Sequence, residues 1–252
     1  MFIRTKSRAV NYAKPYPDDD SEPFHQQAEG KGQQYEPTVE YDDQTYVEHK
    51  PRTQATIRAD LIRNEIIPDF FLIPPRFEAI ITYYNGTRPD FGNDIKLEAV
   101  RWSPHTLTYK FPPDSLFTVV MTGLDEPSKA TPTKREFLHW IVGNIPVDSI
   151  LAGDQIAEYY PPMPKRNTGR HRYLFLVYKQ KGTIEFKEPP LTNRNDWGRS
   201  NWSSRKFAEK YRLGEPYAVN FFYSEHTEET LIPTTPVPYR TSIYYPNTNE
   251  PV

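Results

Sequence analysis

The stretch His171-Arg172-Tyr173-Leu174-Phe175-Leu176-Val177-Tyr178-Lys179-Gln180 decides how this chain folds. From Tyr173 to Lys179 the residues are aromatic or aliphatic almost without interruption. Side chains of a strand alternate between two faces, so such a run needs a cover on both sides. A central strand is expected here. Working outward, further short runs of aromatic and β-branched residues are separated by Pro, Gly, Asn and Asp. They are Phe77 to Tyr84, Ile95 to Trp102, Thr106 to Phe111, Phe117 to Thr122, Phe137 to Ile145, Thr183 to Phe186 and Tyr217 to Tyr223. Two helices break the pattern. From Ala55 to Glu65, Ile57 and Leu61 fall near helical spacing, and Pro68 is expected to end the segment. Near the other end, Ser203 or Ser204 can cap a helix that presents Phe207, Ala208 and Tyr211 on one face, with Gly214 suited to its exit.

The full chain has 252 residues, enough for one well-filled domain with segments to spare. Its 26 prolines and mean hydropathy of -0.77 imply much extended or irregular backbone. The net charge of -2 provides no general basic field for nucleic acid or anionic membrane, so any such contact must be local. The absence of cysteine excludes disulfide scaffolds, thiolate metal sites and thiol nucleophiles. Apolar runs such as Ile66 to Ile73 are broken by Pro68 and Asp69, far short of a membrane span.

Residues 1–54 read as an extended arm. They are polar and acidic (Asp18, Asp19, Asp20, Asp42, Asp43), yet carry Tyr12, Tyr16, Tyr35, Tyr41 and Tyr46. Such a segment buries too little apolar surface to order by itself, and its tyrosines suit ordering against a partner. Arg4, Lys6, Arg8 and Lys14, with no acid among residues 1–17, have the composition of a mitochondrial presequence or of a plain basic tail. Residues 55–230 are expected to form the domain. Residues 231–252, rich in Pro and Tyr, read as a tail.

Chemistry-bearing patterns are sparse. The histidines at 25, 49, 105, 139, 171 and 226 show no i, i+4 pair of the kind that binds zinc, and no nucleophile elbow, P-loop or dinucleotide fingerprint occurs. Taken alone, His139 reads as a core histidine inside a strand and His171 as a loop residue before one.

Four segments in order alter this picture. Thr122-Gly123-Leu124-Asp125-Glu126-Pro127-Ser128 resembles the D-P-D-x-P-S stretch of phosphatidylethanolamine-binding proteins. Arg135-Glu136-Phe137-Leu138-His139-Trp140 through Asn144-Ile145-Pro146 resembles that family's R-E-W-x-H-W/F-x-V-x-N-I/M-P. Gly169-Arg170-His171-Arg172-Tyr173 is similar to its G-x-H-R-Y, and Phe207 to Phe222 to its late F-x-x-x-Y-x-L-G-x-P-x-A-x-N-F-F. The resemblance spans about Phe77 to Tyr223. It implies a mainly β fold, a sandwich of a large central sheet and a smaller sheet with a few peripheral helices, flanked here by long arms. It also implies a small anion or headgroup cavity walled by Asp125, His139, His171 and Tyr173. Gly123 stands where the family has its first Asp and Leu124 where it has Pro, which implies weak or absent binding of a phosphate-like ligand. No cofactor or metal is implied.

The segment Tyr160-Pro161-Pro162-Met163-Pro164-Lys165-Arg166-Asn167-Thr168-Gly169-Arg170 replaces the family's G-x-G-P-P loop. Together with Leu138-His139-Trp140 and Gly123-Leu124-Asp125, it resembles the branch of the family found in the mitochondrial large ribosomal subunit. That resemblance implies a non-enzymatic structural subunit in the mitochondrial matrix, held by protein neighbours with a local rRNA contact. Pro161, Pro162, Pro164, Lys165, Arg166 and Arg170 would form the contact loop. The alternative is a soluble, cytoplasmic binding protein for phospholipid headgroups or phosphorylated partners, acting as a signalling regulator.

Overall fold

The computed structural model describes residues 50–227, apart from 72, 109–111, 113, 114 and 148. The expected N-terminal arm up to residue 49 and the tail 231–252 lie outside the described residues.

Among the described residues, nine strands and two α-helices follow in chain order: α1 Gln54–Arg63, β1 Phe77–Glu78, β2 Ile80–Thr82, β3 Asn93–Asp94, β4 Thr106–Thr108, β5 Leu116–Gly123, β6 Phe137–Pro146, β7 Asp154–Ala157, β8 His171–Gln180, α2 Ser204–Lys210 and β9 Ala218–Ser224. The large sheet runs β1-β9-β8-β5-β6-β7, with β3 also paired to β9, while β2 and β4 form a separate small sheet. This is the mainly β sandwich with a large and a small sheet that the resemblance implies.

The expected central strand is central. β8 lies between β5 and β9 and pairs antiparallel with both. Its alternate residues Leu174, Leu176 and Tyr178 join one core cluster with Ile57 and Leu61 of α1 and Phe207 and Ala208 of α2. Tyr173, Phe175 and Val177 point the other way, into a second cluster with Ile81 and Leu107 of the small sheet. Helices cover one face and the small sheet the other, so no polar alternation is needed.

Several expectations give way to packing. The run Phe77 to Tyr84 is two strands, because the chain leaves the large sheet after Glu78 and enters the small one at Ile80. Ile95 to Trp102 is no strand. Ile95 N–H donates to the Tyr223 carbonyl, and a 3₁₀ turn follows at Leu97–Val100, burying Val100. Thr183 to Phe186 stays irregular, since Ile184 N–H is taken by the Asn144 side chain and Phe186 stacks on Phe207 at 6.0 Å. β7, the polar Asp154-Gln155-Ile156-Ala157, edges the sheet beside β6. Helix α1 ends at Arg63, before Pro68, because the Asn64 side chain and backbone both donate to the Asp60 carbonyl. For α2 the cap is Ser203, whose hydroxyl accepts from Lys206 N–H; the helix stops at Lys210, ahead of Gly214.

Candidate functional site

Three adjacent strands position the histidine cluster. Gly123, the last residue of β5, is paired with Phe137 of β6 on one side and Tyr173 of β8 on the other. The β5–β6 register passes from Met121↔Trp140 to Thr122↔Leu138, so His139 is the extra residue of a bulge. A bulge breaks the in-out alternation and re-aims a side chain. Here it brings the His139 ring to 5.2 Å from the Tyr173 ring, edge to face. Gly123 makes the approach possible: a Cβ there would fall 3.0 Å from His139 Nε2. The ring occupies the space that an Asp side chain at 123 would claim. His171 opens β8, with its ring 6.5 Å from that of Tyr173. It is a strand residue 1% exposed, where the residue pattern alone suggested a loop.

The three side chains are deeply buried and incompletely paired. His139 Nδ1 lies 2.6 Å from the Tyr160 carbonyl, while its Nε2 meets no protein partner. Burial, helped by the Arg199 guanidinium, pulls the His139 pKa down to about 3 against the pull of that carbonyl. His171 Nε2 lies 2.8 Å from Thr168 Oγ1; its Nδ1 is 3.4 Å from Glu126 Oε1, at ion-pair distance but off hydrogen-bond geometry. The Tyr173 hydroxyl is buried with no partner, and burial raises its pKa well above the usual phenol value. Buried polar groups are nearly always satisfied, and each exception calls for a reason. A groove lined by Lys129, Thr168, Arg170, Tyr223 and Glu225 lies beside the cluster, sharing with it Thr168, whose hydroxyl is 2.8 Å from His171 Nε2.

Asp125 has another task than the one the resemblance implies. Its Oδ2 accepts from Arg172 N–H at 2.8 Å and from Arg172 Nε at 2.9 Å, and its Oδ1 from Arg172 Nη2 at 2.6 Å. Burial alone would raise the Asp125 pKa, but these bonds outweigh it and hold the carboxyl below its ordinary value. The remaining Arg172 nitrogen, Nη1, donates to the carbonyls of Asn64 and Glu65, tying α1 to the sheet. Asp125 is therefore part of the scaffold, and the acid at the histidines is Glu126.

Sequence reasoning missed Glu126, Thr168 and Arg199. Arg199 is fully buried and donates to the carbonyls of Leu138, His139, Glu158 and Thr192, which fixes the bulge from behind. Nothing local marks it, because its partners are backbone atoms distant in sequence. Glu126 fills the variable position of the D-P-D-x-P-S pattern, and that was the available signal.

The proline loop divides in two. Pro162 and Pro164 are buried and Pro161 half-buried, while Lys165, Arg166 and Arg170 are exposed. Arg170 pairs with Asp94 at 2.7 Å and lies over the Tyr223 ring, and Arg166 donates to His226 at 3.2 Å. Among the described residues no group of three His, Asp or Glu is arranged to hold a metal, and no helix is long and apolar enough to cross a membrane.

Comparison with known proteins agrees with this architecture. Residues 87–222 match the model of the phosphatidylethanolamine-binding protein family. A putative odorant-binding protein A5 of Drosophila melanogaster is 35% identical over 172 residues, 68% of this chain and 81% of that protein. A 26 kDa secreted antigen of Toxocara canis is 35% identical over 167 residues, 65% of this chain and 62% of the antigen. A carboxypeptidase Y inhibitor, solved with its cognate proteinase, superposes with a TM-score of 0.57 at 25% identity, covering 69% of this chain and 97% of that one. A phosphatidylethanolamine-binding protein from Plasmodium vivax shares the fold at 19% identity, with a TM-score of 0.56 over 71% of this chain and 100% of the other. These descriptions favour the binding-protein alternative over the ribosomal expectation, which gains no support from them.

Proposed function

Because the chain belongs to the phosphatidylethanolamine-binding protein family, we propose that it is a binding protein whose ligand's polar head is read by His139, His171 and Tyr173. The observation that carries this reading is a clustering: of the seven buried side-chain polar atoms without a hydrogen-bond partner among the described residues, three, His139 Nε2, His171 Nδ1 and Tyr173 Oη, sit on adjoining rings. Three such atoms on adjoining rings cost stability, at about 1 to 3 kcal/mol for each unsatisfied group. A ligand head that pairs with them offsets that cost. The relatives described as odorant-binding protein and as inhibitor support binding as the kind of activity, and we assign the chain no reaction. Calorimetric titration with phosphoethanolamine tests the reading. Saturable binding that is lost in Tyr173→Phe is expected; binding untouched by that change would place the ligand elsewhere.

A second reading, a structural subunit of the mitochondrial large ribosomal subunit in the matrix, keeps one observation in its favour. Lys165 and Arg166 are exposed on a loop whose Pro162 and Pro164 are anchored in the body. A basic patch held in this way loses little freedom on docking to rRNA phosphate or an acidic protein. Sedimentation of the native protein tests it, since a subunit runs with the large particle and a free binding protein near 29.5 kDa.

A further inference from the structure

On the face of β8 opposite Tyr173, the helix side of the large sheet is not closed throughout. A cavity of about 490 Å³ opens between β8, α2 and the segment that follows α1. Its apolar wall is Phe70, Phe71, Leu176 and Ala208, and the uncharged polar residues along it are Tyr178 and Ser204. Leu176 and Tyr178 belong to the core cluster of the helix side, whereas Tyr173 belongs to that of the small-sheet side, so the strand itself separates this cavity from the histidine cluster. Ligand pockets generally enclose about 300 to 1,000 Å³, with mostly apolar walls and a few polar groups that fix orientation. Both polar groups are held in place here. Ser204 N–H donates to Glu136 Oε1 at 3.0 Å, which anchors the start of α2. Tyr178 is 2% exposed, and burial, with Glu136 and Glu215 nearby, raises its pKa, so the phenol keeps its proton at neutral pH. A phenol and a serine hydroxyl can each donate and accept.

The charged side chains of the cavity select no ion. Arg205 and Arg212 are matched in number by Glu209 and Glu215, so the four charges cancel, and all four residues are exposed. Exposed charges are solvated and screened, and pairing with them adds little. An ionised ligand head would give up its water to face a phenol and a serine, and two neutral groups do not offset that loss. A hydroxyl or carbonyl costs far less to bury and finds both a donor and an acceptor. We propose that this cavity is a second ligand site, taking a compact uncharged molecule with an apolar ring or chain and one hydroxyl or carbonyl group. Phe70, Phe71 and Leu176 receive the apolar body, and Tyr178 with Ser204 the polar tip. The assignment is independent of what the histidine cluster binds.

The test titrates the full chain at neutral pH with benzyl alcohol, benzoate and benzylammonium, three molecules that share a ring and differ in the charge of the head. The methyl resonances of Leu176 and Ala208 report on the cavity, and the imidazole signals of His139 and His171 report on the other site. Benzyl alcohol is expected to move the two methyl signals saturably and to leave the imidazole signals in place. Benzoate and benzylammonium are expected to bind about tenfold more weakly, because each must shed the hydration of an ion. Tyr178→Phe should weaken benzyl alcohol about threefold through the lost hydrogen bond, with its unfolding midpoint near wild type. Ala208→Phe, which fills the cavity, should abolish the response of Leu176, and if that variant does not fold, Tyr178→Phe still decides. Methyl signals that stay in place with benzyl alcohol, either ion binding as tightly as the alcohol, or a Tyr178→Phe variant that binds as before would overturn the assignment. None of these results bears on the phosphoethanolamine titration, so the two sites stand or fall separately.

Discussion

Arg172 and Tyr173 are neighbours on β8, and their side chains leave the strand on opposite faces into opposite environments. On the Arg172 side the guanidinium is matched: it holds Asp125 and two carbonyls of the α1 exit, with side-chain exposures of 1% and 0% for the ion pair. On the Tyr173 face three buried polar atoms face one another's rings without partners. Burial is equal on the two sides, so burial alone does not separate scaffold from site. For these two neighbours satisfaction of hydrogen bonds does, because an unpaired buried group costs free energy that folding itself does not return.

That contrast can be broken most strongly on its satisfied side. Arg172→Leu leaves the buried Asp125 carboxylate with Arg135, 3.5 Å away, as its remaining cation, and a loss of about 3 to 5 kcal/mol is expected in urea unfolding. A loss under 1 kcal/mol would mean that the pair is not the clamp described.

The second effect is on pH. His139 has a folded pKa near 3, below the ordinary 6.5, so between those values the unfolded chain binds the extra proton. Its contribution to stability is complete above about pH 6.5 and is lost as pH falls towards 3, at no more than about 1.4 kcal/mol per pH unit. Asp125, whose carboxyl is held below its ordinary 3.8, adds its own loss only at lower pH. His139→Asn keeps an N–H for the Tyr160 carbonyl and should flatten the part of the profile above pH 4. An unchanged slope would assign the acid sensitivity to another group.

A smaller effect sharpens the comparison from the unsatisfied side. Tyr173→Phe removes a hydroxyl without a partner, and the free protein is expected to gain about 1 kcal/mol in thermal or urea unfolding while losing its ligand. Destabilisation instead would show that the hydroxyl is paired in solution. Smallest of all, Lys165→Glu with Arg166→Glu should shift stability by no more than about 0.5 kcal/mol, since both side chains are exposed. The same double variant should leave phosphoethanolamine binding intact, and lost binding would extend the site to this loop.

The two faces were not equally legible in the sequence. The unbroken apolar run of β8 announced a strand covered on both sides, and the motif segments brought His139, His171 and Tyr173 forward as a group. Asp125 was misplaced among them because a carboxylate in a motif looks the same whether it meets a ligand or an arginine. Its partner is 47 residues away, and the choice depends on where β5 and β8 end relative to each other. The double strand hidden in Phe77 to Tyr84 shows the same limit, since both halves have strand composition and the change of sheet is decided by which partner each half meets.

By itself, then, the sequence determined the elements whose signal is local: apolar runs, the helix spacing of Ile57 and Leu61, the cap at Ser203, and the family motifs. Tertiary structure alone decided what each polar group does. A hydrogen bond depends on ångström distances between residues far apart in the chain, such as Arg199 on the bulge carbonyls or Glu126 beside His171. Residue order carries the first kind of information directly. The second exists only once the strands are in register.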